Sequence, residues 1–332
     1  VLKGSNARVL VLPDFYLDRI VKLGEYESFI ESLEKVASRG GGNIPNIPQI
    51  LIRGGNAANC AAALAKLGCK VAMAGKTSFL GLKILEYFAE GVELLINCDG
   101  ELALTTALEF NFKGRRVNVM LGYLGSNKNV TLRDLKPEAI ERIKKSDYVC
   151  VFNWNLNDKG TQLALEVFHL AKEARATTYM DIGDPSVKPR ELEELIEKVL
   201  KNGLVDILGL NENELSFIAK TLGIDLSSDF IYAAKKASLE LNLELDLHTP
   251  EYSAACSNGE AAVAKTFKVE PRVVTGAGDA WNAGNIFAHS LGLKPESRMV
   301  IANAVAAFYI SHAKHPSKKE LMSFLEGKIE VT

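Results

Sequence analysis

The most informative stretch of this sequence reads Thr275-Gly276-Ala277-Gly278-Asp279-Ala280-Trp281-Asn282-Ala283-Gly284. Its small residues allow the backbone to approach an anion closely, and the pattern that follows predicts a helix from Asp279 onward. The N–H groups at the start of such a helix point toward a bound anion. Asp279 could cap this helix or, beside a phosphate, take a proton from a hydroxyl nucleophile.

Two common phosphate-binding loops are absent from the sequence. The dinucleotide fingerprint G-x-G-x-x-G would require glycine at position 281, which is Trp281. Gly75-Lys76-Thr77 looks like the end of a Walker loop, but the first glycine of that loop would fall on Lys70. Any phosphate site must therefore be of another kind.

The composition excludes several classes of protein. The chain has 332 residues, of which 47% are hydrophobic and 24% charged, so it is neither disordered nor fibrous. The net charge of -2 argues against a nucleic-acid or anionic-membrane surface as partner. Five cysteines without a C-x-x-C pair indicate reduced thiols, with neither a disulfide framework nor a zinc site.

The start of the sequence and its hydropathy give an expectation for location. The opening stretch Val1-Leu2-Lys3-Gly4-Ser5-Asn6 lacks the ordered charged and apolar regions of a leader. No run approaches the roughly 18 apolar residues of a membrane span. We therefore expect a cytoplasmic protein.

Short apolar runs alternate with amphipathic stretches along most of the chain, which predicts an α/β fold with a largely parallel sheet. We expect strands near 7–12, 71–74, 148–152, 178–181, 205–210 and 243–247. Ligands of open α/β sheets bind beyond the carboxyl ends of the strands. The polar residues that follow these runs are therefore site candidates: Asp14, Asn153, Asp181, Asn211 and His248.

Two stretches interrupt this alternation. The β-prone runs 102–110 and 116–123 predict an antiparallel hairpin, joined by residues 111–115. Residues 25–49 contain a charged helix candidate followed by a segment rich in glycine and proline. We interpret both stretches as parts of a discontinuous lid attached to the α/β core.

Three motifs in order resemble those of one family. Gly276-Ala277-Gly278-Asp279 and the residues after it resemble the C-terminal signature of the ribokinase-like (PfkB) carbohydrate kinases. Gly54-Gly55-Asn56-Ala57-Ala58-Asn59 resembles their N-terminal signature, and Asn211-Glu212-Asn213-Glu214 their N-x-x-E motif. The resemblance extends from about residue 54 to residue 284 and is carried by ordered motifs rather than by one isolated loop.

The resemblance implies a fold and an activity. It implies a ribokinase-like three-layer α/β/α sandwich over 1–332, with a small discontinuous β-sheet lid at 14–53 and 100–126. The implied activity is Mg²⁺-dependent phosphoryl transfer from a purine nucleotide, ADP or ATP, to a hydroxyl of a sugar or sugar phosphate. Lid-mediated dimers occur in the family, which leaves a homodimer open.

The resemblance also assigns roles at the acceptor side of the site. Asp279 would deprotonate the acceptor hydroxyl, and the backbone N–H groups of Gly276, Ala277 and Gly278 would form an anion hole. The implied acceptor-binding residues are Asp18, Gly54, Gly55 and Asn59. Asp18 fits the family spacing better than Asp14; the alternative for Asp18 is a solvated turn residue, and the family match favours the acceptor-binding role.

At the nucleotide side the resemblance implies a second set of residues. The implied nucleotide-binding residues are Asn211, His248, Thr249, Tyr252, Thr275 and Asn303. Asn211 and Glu214 would also hold Mg²⁺ through water. The same two residues read as a helix N-cap and its capping-box acid, and both readings can hold together. Asn303 could instead belong to a packing helix of small residues.

The sequence departs from the family pattern near both ends of the nucleotide region. Val273 and Val274 replace the usual Asp-Thr, and the usual T-x-G-x-x-G turn is missing. In its place stands His248-Thr249-Pro250-Glu251-Tyr252, which is similar to a stretch of ADP-dependent sugar kinases; the alternative is a strand end with a turn at Pro250. The leading hypothesis is an ADP-dependent ribose-1-phosphate kinase. The alternatives are an ATP-dependent ribokinase, a fructokinase-like or nucleoside kinase, and a non-catalytic sensor on the same fold.

Two pairs of residues remain open in function. Arg115 and Arg116 in the hairpin could bind a substrate phosphate, or could be solvated turn residues. His312 and His315 have no evident third ligand, which favours a surface pair over a metal site.

Overall fold

The computed structural model describes residues 5–226 and 229–327, so most of the opening stretch that lacks a leader pattern lies outside it. Within the described residues, the strands are β1 Arg8–Leu12, β2 Tyr16–Glu25, β3 Gln49–Gly54, β4 Lys70–Lys76, β5 Val92–Asn97, β6 Ala103–Phe112, β7 Arg115–Tyr123, β8 Tyr148–Val151, β9 Thr177–Asp181, β10 Ile207–Asn211, β11 Glu244–His248, β12 Tyr252–Ser257 and β13 Glu260–Lys265.

The helices in the same residues are α1 Tyr26–Ala37, α2 Asn56–Lys66, α3 Phe79–Phe88, α4 Pro137–Ile143, α5 Gly160–Glu173, α6 Glu191–Leu195, α7 Glu212–Leu222, α8 Phe230–Leu241, α9 Ala277–Ser290, α10 Pro295–His312 and α11 Lys318–Leu325. A π-helical segment, Ile196–Leu200, continues α6. None of these helices, over the ranges described, combines the length and the apolar character that crossing a membrane requires.

The larger sheet has the strand order β13-β12-β11-β10-β9-β8-β1-β4-β5. Its strands are parallel from β5 to β11, while β12 and β13 are antiparallel at one edge, so the predicted largely parallel sheet is confirmed. Side chains of β1 alternate between the two faces: Leu10 and Leu12 join one core cluster, Val9 and Val11 the other. Helices cover both faces, which gives the expected three layers.

The smaller sheet has the strand order β3-β2-β6-β7. It consists of β2 and β3, which flank the interrupting residues 25–49, and of the hairpin in the second interrupting stretch. The predicted hairpin is present as β6 and β7, but its turn is tighter than expected. Lys113 and Gly114 both have positive φ values, 52° and 74°, which is typical of a two-residue type I′ turn. The division of the chain into core and lid at 14–53 and 100–126 stays a prediction.

The edge strands β12 and β13 are not evident in the sequence. Their segments, YSAACS and EAAVAK, contain several alanines and few β-branched residues. Strand β12 pairs with β11 and buries Ala254 and Cys256, and β13 pairs with β12 and buries Ala264, which stabilises both as strands. Here tertiary packing overrides local propensity.

Candidate active site

The stretch quoted at the outset forms the start of α9. Gly276 is the N-cap, with φ +86°, and a Cβ at this position would lie 2.9 Å from the Tyr309 hydroxyl. That hydroxyl donates a hydrogen bond to the Thr275 carbonyl at 2.9 Å. The Ala277 N–H donates to the Val274 carbonyl at 3.2 Å. Glycine at 276 is therefore required both for the turn and for the close approach of Tyr309.

Asp279 lies in the first turn of α9 and its side chain is buried. The Asn59 Nδ2 group donates a hydrogen bond to Asp279 Oδ2 at 2.8 Å. Burial raises the pKa of the Asp279 carboxyl well above its ordinary value; the nearby Asp181 and Asp14 raise it too, against the Asn59 bond and the charge of Arg53. Such a carboxyl binds a proton more readily than a solvated one, as a general base must.

Asp14, the first strand-end candidate, acts as a cap for α2. Its carboxylate accepts hydrogen bonds from the N–H groups of Asn56 (2.9 Å) and Ala57 (3.0 Å) and from Asn153 Nδ2 (2.9 Å). Gly55, at φ +94°, is needed because a Cβ there would lie 2.8 Å from the Asp14 carbonyl. Asp14 thus fixes the start of the helix that carries Asn59.

Asp18 lies on β2, with Ile52 of β3 opposite it. A Cβ on the neighbouring Gly54 would lie 2.2 Å from Asp18 Oδ2, so this glycine provides the space for the carboxylate. Burial raises the pKa of Asp18, against a hydrogen bond from the Thr105 side chain. Asp18 and Gly54 therefore form one unit of the candidate acceptor site.

Replacing Gly54 by alanine should displace the Asp18 carboxylate and raise the KM for the acceptor by about ten-fold, the cost of one charge-assisted hydrogen bond. The KM for the nucleotide should change little, because Gly54 does not line the nucleotide cavity. Gly122→Ala in the same sheet is the control, since a Cβ there meets nothing within 4 Å. Steady-state kinetics with both substrates varied measures the effect. An unchanged acceptor KM in Gly54→Ala would remove Asp18 from acceptor binding.

The nucleotide-side candidates surround a cavity of about 570 Å³ between β11, α9 and α10. The residues that line it include Asn211, His248, Thr249, Gly278, Trp281 and Asn303. The rings of His248 and Trp281 lie 4.9 Å apart, and burial lowers the pKa of His248 to about 4. Asn303 accepts a hydrogen bond from Trp281 Nε1 at 2.9 Å, so it fixes the indole at the cavity wall.

Two of the predicted nucleotide residues, Tyr252 and Thr275, do not line this cavity, and a third, Thr249, lines it but also has a structural role. Thr249 closes a turn, because its hydroxyl donates to the Tyr252 carbonyl and accepts from the N–H groups of Glu251 and Tyr252. The Tyr252 side chain lines a neighbouring cavity instead. Thr275 is exposed and is not part of the lining of the 570 Å³ cavity.

Asn211 and Glu214 form a capping box at the start of α7, which is one of the two readings of the sequence. Glu214 Oε2 accepts from the Asn211 N–H and Oε1 from Asn211 Nδ2, both at 2.9 Å. Burial raises the pKa of Glu214 well above its ordinary value, and Asp181 contributes. Residues 5–226 and 229–327 contain no group of three or more His, Cys, Asp or Glu side chains arranged to hold a metal ion.

The arginine and histidine candidates that the sequence left open have different partners in the structure. Arg116 forms an ion pair with Glu109 on the neighbouring strand, at 2.7 Å. His312 stacks on Phe308, while His315 Nε2 contacts Arg53 Nη2 at 3.0 Å. The two histidines therefore have separate partners. Arg53 is a residue that the sequence did not single out, although it directly precedes the paired glycines.

Known proteins are similar to this chain along most of its length. The fold and the glycine-rich start of α9 define a ribokinase-like phosphotransferase. Residues 51–315 match the model of the pfkB family carbohydrate kinases, so the chain belongs to this family. The resemblance seen in the three sequence motifs is thereby confirmed.

Individual relatives are more distant. A ketohexokinase from Haloferax volcanii is 25% identical over 295 residues, which cover 83% of this chain and 76% of the relative. A ribokinase from Arabidopsis thaliana, solved with ribose and ATP, superposes with a TM-score of 0.73 at 17% identity, covering 98% and 99% of the two chains. An adenosine kinase from Sinorhizobium meliloti gives 0.72 at 19% identity, covering 98% and 100%. At these identities the two structures establish the fold alone.

Proposed function

We propose that this carbohydrate kinase transfers a phosphoryl group from a purine nucleotide, with ADP as the leading donor, to a hydroxyl of a sugar or sugar phosphate. The leading acceptor is ribose 1-phosphate. The observation that carries the proposal is the buried Asp279 carboxylate in the first turn of α9, one residue after the glycine-rich N-terminus. This position supports a role for Asp279 as the base beside an anion-binding backbone.

The proposed reaction is an in-line displacement. The acceptor hydroxyl oxygen forms a bond to the terminal phosphorus, and the bond between that phosphorus and the bridging oxygen breaks with its electron pair on the nucleotide. Asp279 takes the hydroxyl proton. Backbone N–H groups around Gly276, Ala277 and Gly278 stabilise the charge on the transferring group. Asp18, Gly54, Gly55 and Asn59 orient the acceptor.

The lining and size of the 570 Å³ cavity suit a purine nucleotide. Trp281, Phe267 and Ile310 provide apolar surface, while Asn211 and His248 lie near the start of α9. A nucleotide whose purine ring contacts these apolar side chains would direct its phosphates toward Gly278. This arrangement supports nucleotide binding between β11 and α10.

The residues present fit a magnesium ion held through water. Asn211 and Glu214 offer oxygen atoms, but their mutual hydrogen bonds leave no preformed cage. Mg²⁺ commonly retains several waters and binds one or two carboxylates together with substrate phosphates, where it neutralises charge on the phosphate oxygens. Asn211 and Glu214 would hold it through water.

A second cavity supports a phosphorylated acceptor. It has a volume of about 970 Å³ and borders Asn59 and the Ile20 and Ile52 side chains of the smaller sheet. Four cationic side chains line it against two carboxylates: Arg53, Lys66, Arg272 and Lys314 against Glu90 and Glu320. An excess of positive charge next to the candidate acceptor site favours an anionic sugar over a neutral one.

The choice of donor rests on the resemblance of His248-Thr249-Pro250-Glu251-Tyr252 to ADP-dependent sugar kinases. His248 and Thr249 line the nucleotide cavity, and a Cβ on Gly278 would lie 3.5 Å from His248 Cε1. The histidine ring is therefore close to the backbone that would meet the phosphates. The alternatives within the class are an ATP-dependent ribokinase, a fructokinase-like enzyme and a nucleoside kinase.

A matrix of donors and acceptors tests the proposal. Purified protein would be assayed with ADP or ATP and Mg²⁺ against ribose, ribose 1-phosphate, fructose, fructose phosphates and nucleosides. We expect turnover with ADP and ribose 1-phosphate. Turnover with ATP and none with ADP would show that the donor proposal is wrong. Nucleotide binding without turnover on any acceptor would favour the non-catalytic sensor.

A further inference from the structure

Arg53 occupies an unusual position for a cation. It stands in β3 directly before the paired glycines and is partly buried at the wall of the 970 Å³ cavity. Its Nε donates to Asn59 Oδ1 at 3.0 Å, Nη1 donates to the Phe88 carbonyl at 2.8 Å, and Nη2 contacts His315 Nε2 at 3.0 Å. Burial lowers the pKa of His315 to about 3, so all three partners are uncharged. Holding a guanidinium among neutral groups is costly unless its charge acts on something else.

The geometry determines the orientation of the Asn59 amide. A guanidinium only donates hydrogen bonds, so the oxygen of the amide must face Arg53. The Asn59 Nδ2 group then faces Asp279 and donates to Oδ2 at 2.8 Å. A flipped amide would place N–H against N–H on one side and oxygen against carboxylate on the other. Arg53 therefore fixes the amide in the one orientation that binds the Asp279 carboxylate.

We propose that Arg53 is a positioning residue for phosphoryl transfer, which acts through the Asn59 amide to hold Asp279 Oδ2 and leave Oδ1 directed to the acceptor hydroxyl. This inference rests on the role of Asp279 in the proposed function. The contacts run without interruption from Arg53 Nε to Asn59 Oδ1 and from Asn59 Nδ2 to Asp279 Oδ2.

Arg53 also connects this chain of contacts to the loop before α9. The ring of His315 stacks on Tyr309, with centroids 4.8 Å apart. Tyr309 in turn donates to the Thr275 carbonyl at 2.9 Å. One guanidinium therefore links the carboxylate of the base to the backbone that precedes the anion-binding turn.

The charges that act on Asp279 come from several elements. They belong to Asp14 after β1, Arg53 on β3, Cys60 on α2, Asp181 at the end of β9 and Tyr309 on α10. Asp14 and Asp181 raise the pKa of Asp279, and Arg53 is the cation that lowers it. Loss of the Arg53 charge should therefore raise the pKa of Asp279 further and move the acid limb of the kcat profile to higher pH.

The test uses Arg53→Met, Arg53→Lys and a control, Arg142→Met. Arg142 forms an exposed ion pair with Glu93 on the larger sheet. We expect Arg53→Met to lower kcat about ten- to a hundred-fold, as misplacement of a reacting group does. The acid limb should rise by about one pH unit. Arg53→Lys keeps the charge but not the fork, so kcat should fall while the acid limb stays in place. Arg142→Met should leave both unchanged.

A double-mutant cycle tests whether Arg53 acts through Asn59. The kcat values are compared on the plateau above the acid limb, where the direct effect of the Arg53 charge on the pKa of Asp279 does not enter. There the single variants Arg53→Met and Asn59→Leu should each lower kcat, and the double variant should be no more than about two-fold slower than Asn59→Leu. Multiplicative effects of the two changes would overturn the proposal, as would an unchanged kcat in Arg53→Met. If Arg53→Met does not fold, the same cycle is measured with Arg53→Lys and judged by the same criterion.

A second readout separates this inference from the proposed function. The carboxyl carbon of Asp279 can be titrated by ¹³C NMR in protein without substrates. A higher titration midpoint in Arg53→Met than in wild type supports the contact between Arg53 and the base whether or not any acceptor is turned over, and an unchanged midpoint contradicts it. Absence of turnover in wild type under all donor and acceptor combinations would contradict the proposed function alone.

Discussion

Asp279→Asn should lower kcat by about 10²–10⁴-fold, the usual contribution of a general base. The variant keeps the shape of the side chain, and an asparagine oxygen can still accept the hydrogen bond that Asn59 Nδ2 gives to Oδ2. The KM for the nucleotide should change little, because Asp279 is not part of the lining of the 570 Å³ cavity. Steady-state rates and nucleotide titration of the same preparations measure the two effects.

The pH dependence gives a second test of the same residue. The wild-type kcat should increase with pH through an apparent pKa above the ordinary aspartate value, because burial raises the pKa of Asp279. This limb should be absent from the residual activity of Asp279→Asn. A control variant, Asp158→Asn, replaces an exposed carboxylate and should retain both rate and profile. Undiminished turnover in Asp279→Asn would remove Asp279 from the role of base.

Asp279→Asn should lower the activity but raise the thermal stability of the protein. A carboxyl whose pKa is higher in the folded protein than in the unfolded chain favours folding at low pH. This contribution is lost as pH rises through the folded-state value. Asparagine at 279 carries no charge at any pH, so the variant should melt at a higher temperature than wild type at pH 8. The difference should shrink toward pH 4. Thermal unfolding at both pH values measures it.

Much of the site is visible in the sequence because its key contacts are local. The glycine-rich start of α9 and the Asn211–Glu214 capping box each lie within a few residues, where spacing alone fixes geometry. The polar residues at or just after the carboxyl ends of β1, β8, β9, β10 and β11 also fall where the sequence places them, since parallel strands bring their carboxyl ends to one edge. A short-range sequence pattern is therefore sufficient to predict this part of the candidate site, the helix starts and the strand ends.

The other half depends on contacts between distant residues. Arg53 meets Phe88 and His315, which are 35 and 262 residues away, so nothing near it in the sequence indicates a partly buried cation. Asn59 is expected to bind a sugar hydroxyl, but the structure shows that its amide also joins Arg53 to Asp279. The tertiary contacts of Arg53 with Phe88 and with His315, which follows α10, reveal this second use of Asn59.

A buried ion pair between α10 and β11 is the basis of the second large prediction. Arg298 on α10 and Asp246 on β11 are both fully buried, and Arg298 Nη2 donates to Asp246 Oδ1 at 2.9 Å. Arg298 also pairs with Glu244, and Asp246 accepts from Asn285 Nδ2 on α9 at 2.8 Å. The pair therefore joins β11, α9 and α10, the three elements that carry His248, Asp279 and Asn303.

Arg298→Met should lower the free energy of unfolding by about 3–5 kcal/mol, because it leaves the buried Asp246 without its cation. Arg8→Met is the matched control: Arg8 pairs with Asp147 at the surface, and its loss should cost less than about 1 kcal/mol. Denaturant unfolding at pH 7 of both variants and of wild type measures the difference. A loss in Arg298→Met no larger than that in Arg8→Met would contradict the prediction.

The loss of unfolding free energy in Arg298→Met should also depend on pH, and the pKa of Asp246 sets the direction. Burial raises the pKa of Asp246 to about 7, against the charge of Arg298, so removing that charge raises the pKa further. A raised folded-state pKa stabilises the protein below the unfolded value and ceases to do so as pH rises through the folded value. Arg298→Met should therefore be more destabilising at pH 8 than at pH 5. At pH 8 the buried Asp246 must either ionise without its cation or keep a proton that the unfolded chain releases, and both cost free energy of folding. Asp246→Asn in the same background should remove this pH dependence, because the buried group is then neutral in both states. A loss of equal size at pH 5 and pH 8 would show that Arg298 stabilises the three elements by packing alone.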